Sequence, residues 1–285
     1  MKNKKQVFIL VLGIFLYSAL PVMAEEKNSQ VTNESVGFYE ILNQSTQIVK
    51  KQDSLTTQTE VADLFRKIET YLNLFSKASN KNLSLPVTLS GLLIQMSDSL
   101  DLRTVSKALI ITKGGKIDSI DSSVLLLDGS ATIGYANNSV IVATGGVEIA
   151  HGSNNVILTG QFVHISHEGS PVQFQQSKPL ESIPTSVVVS GYRINISHAT
   201  NTVVSAPGLI DISNASGVVL INSPKPSISH RQNVTELKVP SLVYPVSEAI
   251  SPVTDEWGFS FTFEDFVLFR KQDGTWGRLE LPKKK

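Results

Sequence analysis

Four of the five histidines in the chain, His151, His167, His198 and His230, recur in step with a repeat, and only His164 lies out of step. Imidazole is a common metal ligand and carries protons near neutrality, so His151 and His167, sixteen residues apart, could together hold a metal. A useful site normally draws on three or four ligands. The same step places Tyr135 before the pair and Ile183 after it, and only Glu168 adds a nearby carboxylate. The column therefore reads as a structural ladder of stacked rings. His151 and His167 are its only metal candidates, and no metal or other cofactor is expected.

A second set of residues could do acid–base chemistry. Asp101, Thr132, Glu148, His164, Asn195 and Asp211 occupy the middle of successive short apolar segments, where side chains should face outward. Paired carboxylates on such a face can cleave a polysaccharide. Counting repeats puts Glu148 and Asp211 four units apart, or ~19 Å at the usual strand spacing. Glycoside hydrolysis needs its carboxyls roughly 5–9.5 Å apart, so no catalytic residue is assigned. Glu148 and Asp211 stand as binding candidates. Phe174, Gln175, Gln176 and Lys178 join them, because "SPVQFQQSKPLESIPTS" breaks the pattern with Pro171, Pro179 and Pro184. Proline cannot donate to a strand ladder, and such irregular units often carry function. Phosphate-binding glycine loops, serine nucleophile elbows, His-Glu-x-x-His zinc motifs and calcium loops do not occur in the sequence.

The elements that must position these residues come from the repeat itself. Val124, Val140, Val156, Val172, Val187, Val203 and Val219 are spaced by 16, 16, 16, 15, 16 and 16 residues. A second apolar pair follows five of the seven anchors by seven and nine residues, as in Val147/Ile149 and Ile210/Ile212. Turn residues separate the two: Asp128-Gly129, Gly145-Gly146 and Pro207-Gly208 on one side, mainly Asn, Ser, Gly and Thr on the other. Asn138, Asn154, Asn201 and Asn233 share one turn position, where stacked amides can hydrogen-bond from unit to unit. Two strands and two turns per unit cannot be a helical repeat. The pattern resembles the parallel β-helix, or β-solenoid, proteins in architecture. The resemblance covers residues 85–235 and implies about nine short coils in a mainly β fold. "ALIITKGGKIDSIDSS" fits two registers.

Around this body lie four shorter segments. Residues 1–24 have a basic start, an apolar run and Val22-Met23-Ala24, the layout of a cleavable signal peptide. Removing them takes three lysines and no acid, leaving 22 basic and 25 acidic side chains and a charge of −3. Nucleic acid is not an expected partner at that balance. Cysteine is absent, so an exported chain must hold by packing and hydrogen bonding alone. Residues 25–80 show two helical stripes, Phe38 to Val49 and Val61 to Phe75, which predict a helix pair packed on the next domain. Thr57-Gln58-Thr59-Glu60 has capping-box spacing at the head of the second. Residues 236–252 form a proline-spaced connector. Residues 253–285, rich in aromatics and carrying Asp273-Gly274, predict a hairpin cap over the end of the solenoid. No transmembrane segment is expected after signal cleavage. The whole reads as an exported, periplasmic or extracellular, adhesive or structural solenoid, more a binder than an enzyme. Its partner would be a macromolecule at the cell envelope or surface, a polysaccharide or a protein. The alternative is a polysaccharide lyase or glycoside hydrolase on a β-helix.

Overall fold

The computed structural model describes residues 37–51, 58–89, 91–95, 99–169, 185–223, 225–239, 260–262, 266–270 and 276–280. Two helices come first, α1 (Phe38–Lys50) and α2 (Gln58–Ser79). The solenoid strands then alternate short and long. The first five pairs are β1 (Leu92–Gln95), β2 (Leu100–Ser106), β3 (Ala108–Thr112), β4 (Gly115–Asp121), β5 (Val124–Leu127), β6 (Ala131–Asn137), β7 (Val140–Ala143), β8 (Val147–Ser153), β9 (Val156–Thr159) and β10 (Phe162–Glu168). After them come β11 (Ser186–Ser190), β12 (Arg193–Thr200), β13 (Thr202–Ser205), β14 (Leu209–Ser216), β15 (Val219–Ile221), β16 (Lys225–Gln232) and β17 (Thr235–Leu237). Odd strands form one parallel sheet and even strands another. The chain is thus a parallel β-solenoid: eight coils carry both strands and β17 opens a ninth. Val124, Val140 and Val156 are vertical neighbours, as the repeat requires. The ambiguous unit is settled by Leu109, which pairs with Val124 and makes a fifteen-residue coil.

The two sheets solve different burial problems. Long strands bend at their fourth or fifth residue, where the register skips one position. Ala131, Ile133 and Ala136 point inward, and the register passes from Ile133 to Tyr135 without Gly134. At this corner a Cβ on Gly134 would run into the carbonyl oxygen of Asp118, so glycine lets neighbouring coils close up. Short strands from β3 to β15 are buried on both faces. Leu125, Ile141, Ile157, Val188, Val204 and Leu220 fill the solenoid interior. The anchor residues Val124, Val140, Val156, Val187, Val203 and Val219 point the other way, into an apolar layer shared with both helices. The repeat had suggested strands with one apolar face. The unbroken runs "VLLL" and "VIVA" are the signature of burial on two sides instead.

The helix pair forms the second wall. Ile41, Leu42, Ile48 and Val49 of α1 and Leu64, Ile68, Leu72 and Phe75 of α2 are nearly inaccessible to solvent and belong to that shared layer. Gln44 joins the helices by donating to Asp63 at 2.9 Å, and Lys67 pairs with Glu40 at 2.6 Å. Thr57, expected to cap α2, lies outside the described residues. At the far end of α2, Lys81 donates to Asn201 at 2.9 Å, beside β13. From there the chain must return to β1, six strands away and so ~29 Å. The connecting residues bend at Pro86 and Leu89 on the way. Leu83, Leu85, Val87 and Leu89 of this segment pack on the apolar layer.

One expectation needs correction, and one is extended. Where "SPVQFQQSKPLESIPTS" was expected to supply a coil, Val156 pairs directly with Val187 and His167 with His198, so β9 stacks on β11 and β10 on β12; residues 170–184 lie outside the described residues. Three prolines lack the donors a coil needs. The count ran through unbroken because the inserted length nearly equals one period. At the C-terminus the expected hairpin is present as β19 (Phe266–Arg270) and β20 (Trp276–Glu280), joined by β18 (Ser260–Thr262) in a three-stranded antiparallel sheet. The terminal strands β16 and β17 carry Lys225, His230, Arg231 and Glu236, and Arg231 pairs with Glu236 at 2.7 Å. Charge on an edge strand discourages further pairing by itself.

Candidate functional site

The helices leave the outer face of the even-strand sheet uncovered. One row along it runs Asp101, Lys116, Thr132, Glu148, His164, Asn195, Asp211 and Ser227, in direct register strand to strand. The sequence placed these residues outward, and they are outward. Two residues earlier on the same strands, and therefore on the same face, lie Phe162, Arg193 and Leu209 in a second row. Between the rows is a depression of about 380 Å³ lined by Glu148, Phe162, His164, Arg193, Asn195, Leu209 and Asp211, with backbone neighbours. A smaller one of about 160 Å³, over Gly115, Ser130, Thr132 and Gly146, shares Glu148 and Phe162 with it. Together they make a trough across the strands. Gly146 lets the Phe162 ring lie against the neighbouring coil, where any Cβ would overlap it. Lys116 is engaged with Asp118 at 3.5 Å.

Because β10 pairs directly with β12, Glu148 and Asp211 stand three strands apart, not four, or ~14 Å. That still exceeds the separation at which two carboxyls share one glycosidic bond. Their placement suits them to grip separate parts of an extended ligand. Phe174, Gln175, Gln176 and Lys178 lie outside the described residues. Sequence reading missed Phe162, Arg193 and Leu209, although a period of two from the outward row points straight at them.

The histidine column lies past the corner of the same strands. Its order is Tyr135, His151, His167, His198, Asn214 and His230, so Ile183 has no place in it. Ring centroids are 5.1 Å apart for Tyr135–His151, 4.9 Å for His151–His167 and 4.5 Å for His167–His198. The last two planes differ by only 1°. Parallel rings keep their nitrogens a strand spacing apart, where a metal would need them to converge. Among the described residues no group of three or more His, Asp or Glu is placed to hold an ion. Stacking accounts for the recurrence.

The asparagine column does two jobs. Asn138, Asn154, Asn201 and Asn233 all adopt positive φ near +50°, a region that asparagine tolerates better than other side chains. Their amides also bridge coils: Asn154 donates to Asn138 at 2.8 Å, Asn138 to Asp121 at 3.2 Å, and Asn201 to the Thr185 hydroxyl at 3.1 Å. One residue further, Ser123, Ser139, Asn155 and Ser186 form a buried ladder that satisfies turn amides, such as Ser139 N–H to Asn155 Oδ1 at 3.1 Å. Replacing Asn154 by alanine should cost about 1–2 kcal/mol, for the lost bond and the left-handed backbone together. Glycine at the same position should recover part of it. Urea titration of the two variants measures both.

One titratable group sits inside the solenoid. Glu168 occupies the inward column Ala136, Gly152, Glu168, Ala199 and Ala215, and is 1 % exposed. Gly152 leaves the space its carboxyl fills; a Cβ there would overlap Oε2. Asn155 donates to Oε1 at 3.2 Å, and Oε2 meets no donor. Burial pushes its pKa up to about 7, against the opposing pull of hydrogen bonds from Ser186 and Asn155. Gly152→Ala must displace this carboxyl and should cost about 1–3 kcal/mol, read as a lowered urea midpoint.

Fold and face together define a parallel β-solenoid walled by a helix pair on one sheet and open on the other. No family model matches the chain, and neither a curated protein nor a solved structure matches it.

Proposed function

We propose that the chain is exported and works as a non-catalytic binding protein at the cell envelope or outside it, offering the open face of its solenoid to a macromolecule. The observation that carries this is the trough: two carboxylates, a guanidinium, an imidazole and an amide held at strand spacing on a sheet buried behind by the solenoid core. Side chains on such a frame lose little further freedom on binding, which favours affinity. The ~14 Å between Glu148 and Asp211 speaks for gripping over cutting. The basic, apolar and small-residue pattern of residues 1–24 supports export.

The test is co-sedimentation of residues 25–285 with cell-envelope fractions of the source organism. Binding should be saturable, should fall at least tenfold in the Glu148→Gln/Asp211→Asn double variant, and should release no soluble sugar. Release of reducing ends or unsaturated fragments, abolished by the same variant, would replace this reading with a hydrolase or lyase. Absence of sedimentation would remove it.

A further inference from the structure

Resting on that reading of the trough as a binding surface, we propose that its ligand is a linear, uncharged, hydroxyl-rich polymer, a neutral polysaccharide, lying along the solenoid axis across the strands. Three observations converge. The first is shape. The two depressions share Glu148 and Phe162, so the trough runs on from Gly115 on β4 to Asp211 on β14. That is five strand intervals, or ~24 Å, long and shallow in the direction in which a chain molecule would lie. The second is the mix of hydrogen-bonding groups. Glu148 and Asp211 only accept, Arg193 only donates, and Thr132, Asn195 and His164 do both. A hydroxyl also donates and accepts, so each wall group finds a partner on a sugar. A polyanion would instead meet two carboxylates, and a polycation would meet Arg193 at the centre. The third is Phe162, whose ring lies on Gly146 midway along the trough and gives an apolar surface for the carbon face of a pyranose.

Strand spacing then sets the register. A hexose in a linear chain advances by about one strand interval, so successive sugars meet successive outward residues. Five intervals bound the useful length at about five or six units.

The experiment is calorimetric titration of the mature chain with neutral linear oligosaccharides of two to eight hexoses, from gluco- and manno-configured series. Affinity should climb with length up to five or six units and then level off. Glu148→Gln, Asp211→Asn and Phe162→Ala should each weaken the longest ligand at least tenfold. His198→Ala, past the corner on the stacked column, should leave it unchanged. Three outcomes overturn the inference: no heat with either series at millimolar sugar, no dependence on length, or equal loss in the His198→Ala control. If the trough variants still abolish envelope co-sedimentation while neutral sugars fail, the ligand class falls and the binding reading stands. If they affect neither, both fall.

Discussion

Replacing Glu168 by glutamine should flatten the alkaline side of the stability profile and leave the acid side nearly unchanged. The carboxyl titrates at 4.5 when free and at about 7 in the fold. Below pH 4.5 it is protonated in both states, and burial costs nothing electrostatic. As pH rises from 4.5 towards 7 the unfolded chain gives up its proton first. The folded state binds more protons, and stability falls. Above pH 7 both states are ionised and the loss is complete, at about 3 kcal/mol for a shift of this size. Glutamine carries no such titration. Urea unfolding at pH 4 and pH 9 should therefore show the parent losing about 3 kcal/mol more than the variant over that interval. Parallel profiles would mean the side chain is not in the solenoid interior.

The second large effect lies on the opposite side of the short-strand sheet. Val142→Asp should destabilise the protein by about 3–5 kcal/mol, because the helix wall leaves a carboxylate there neither water nor a partner. On a strand with one buried face the same outward position would tolerate the change within about 0.5 kcal/mol. Glu148→Ala on the uncovered sheet should stay within that small margin. A tolerated Val142→Asp would mean that the helices do not cover the sheet.

The difference between those sites marks what was legible in advance. Period and turn chemistry disclosed the winding, because like residues stack and stacking demands equal spacing. They also disclosed the outward row and the histidine column. Two-sided burial was written in "VLLL" and "VIVA" but was overlooked in favour of the anchors alone. The extra coil is a product of counting alone: Val156 and Val187 lie nearly two periods apart in sequence, which keeps the count in step, and only their direct pairing exposes it. Glu168 gave no warning. An inward carboxylate looks like any turn-proximal acid until the residue one coil below proves to be glycine. Phe162 and Arg193 are ordinary residues near turns, and the trough they complete exists only once six strands are laid side by side.

The stack itself can be tested across the insertion. The chain has no cysteine, so thiol-reactive pyrene can be placed freely. His167→Cys/His198→Cys puts two labels on exposed, directly paired positions thirty-one residues apart in sequence. Strong excimer emission is expected from that pair, and monomer emission alone from Tyr135→Cys/His230→Cys, five strands apart in the same sheet. Excimer from the second pair and none from the first would contradict the coil order on which the trough, the ring column and the interior carboxylate all depend.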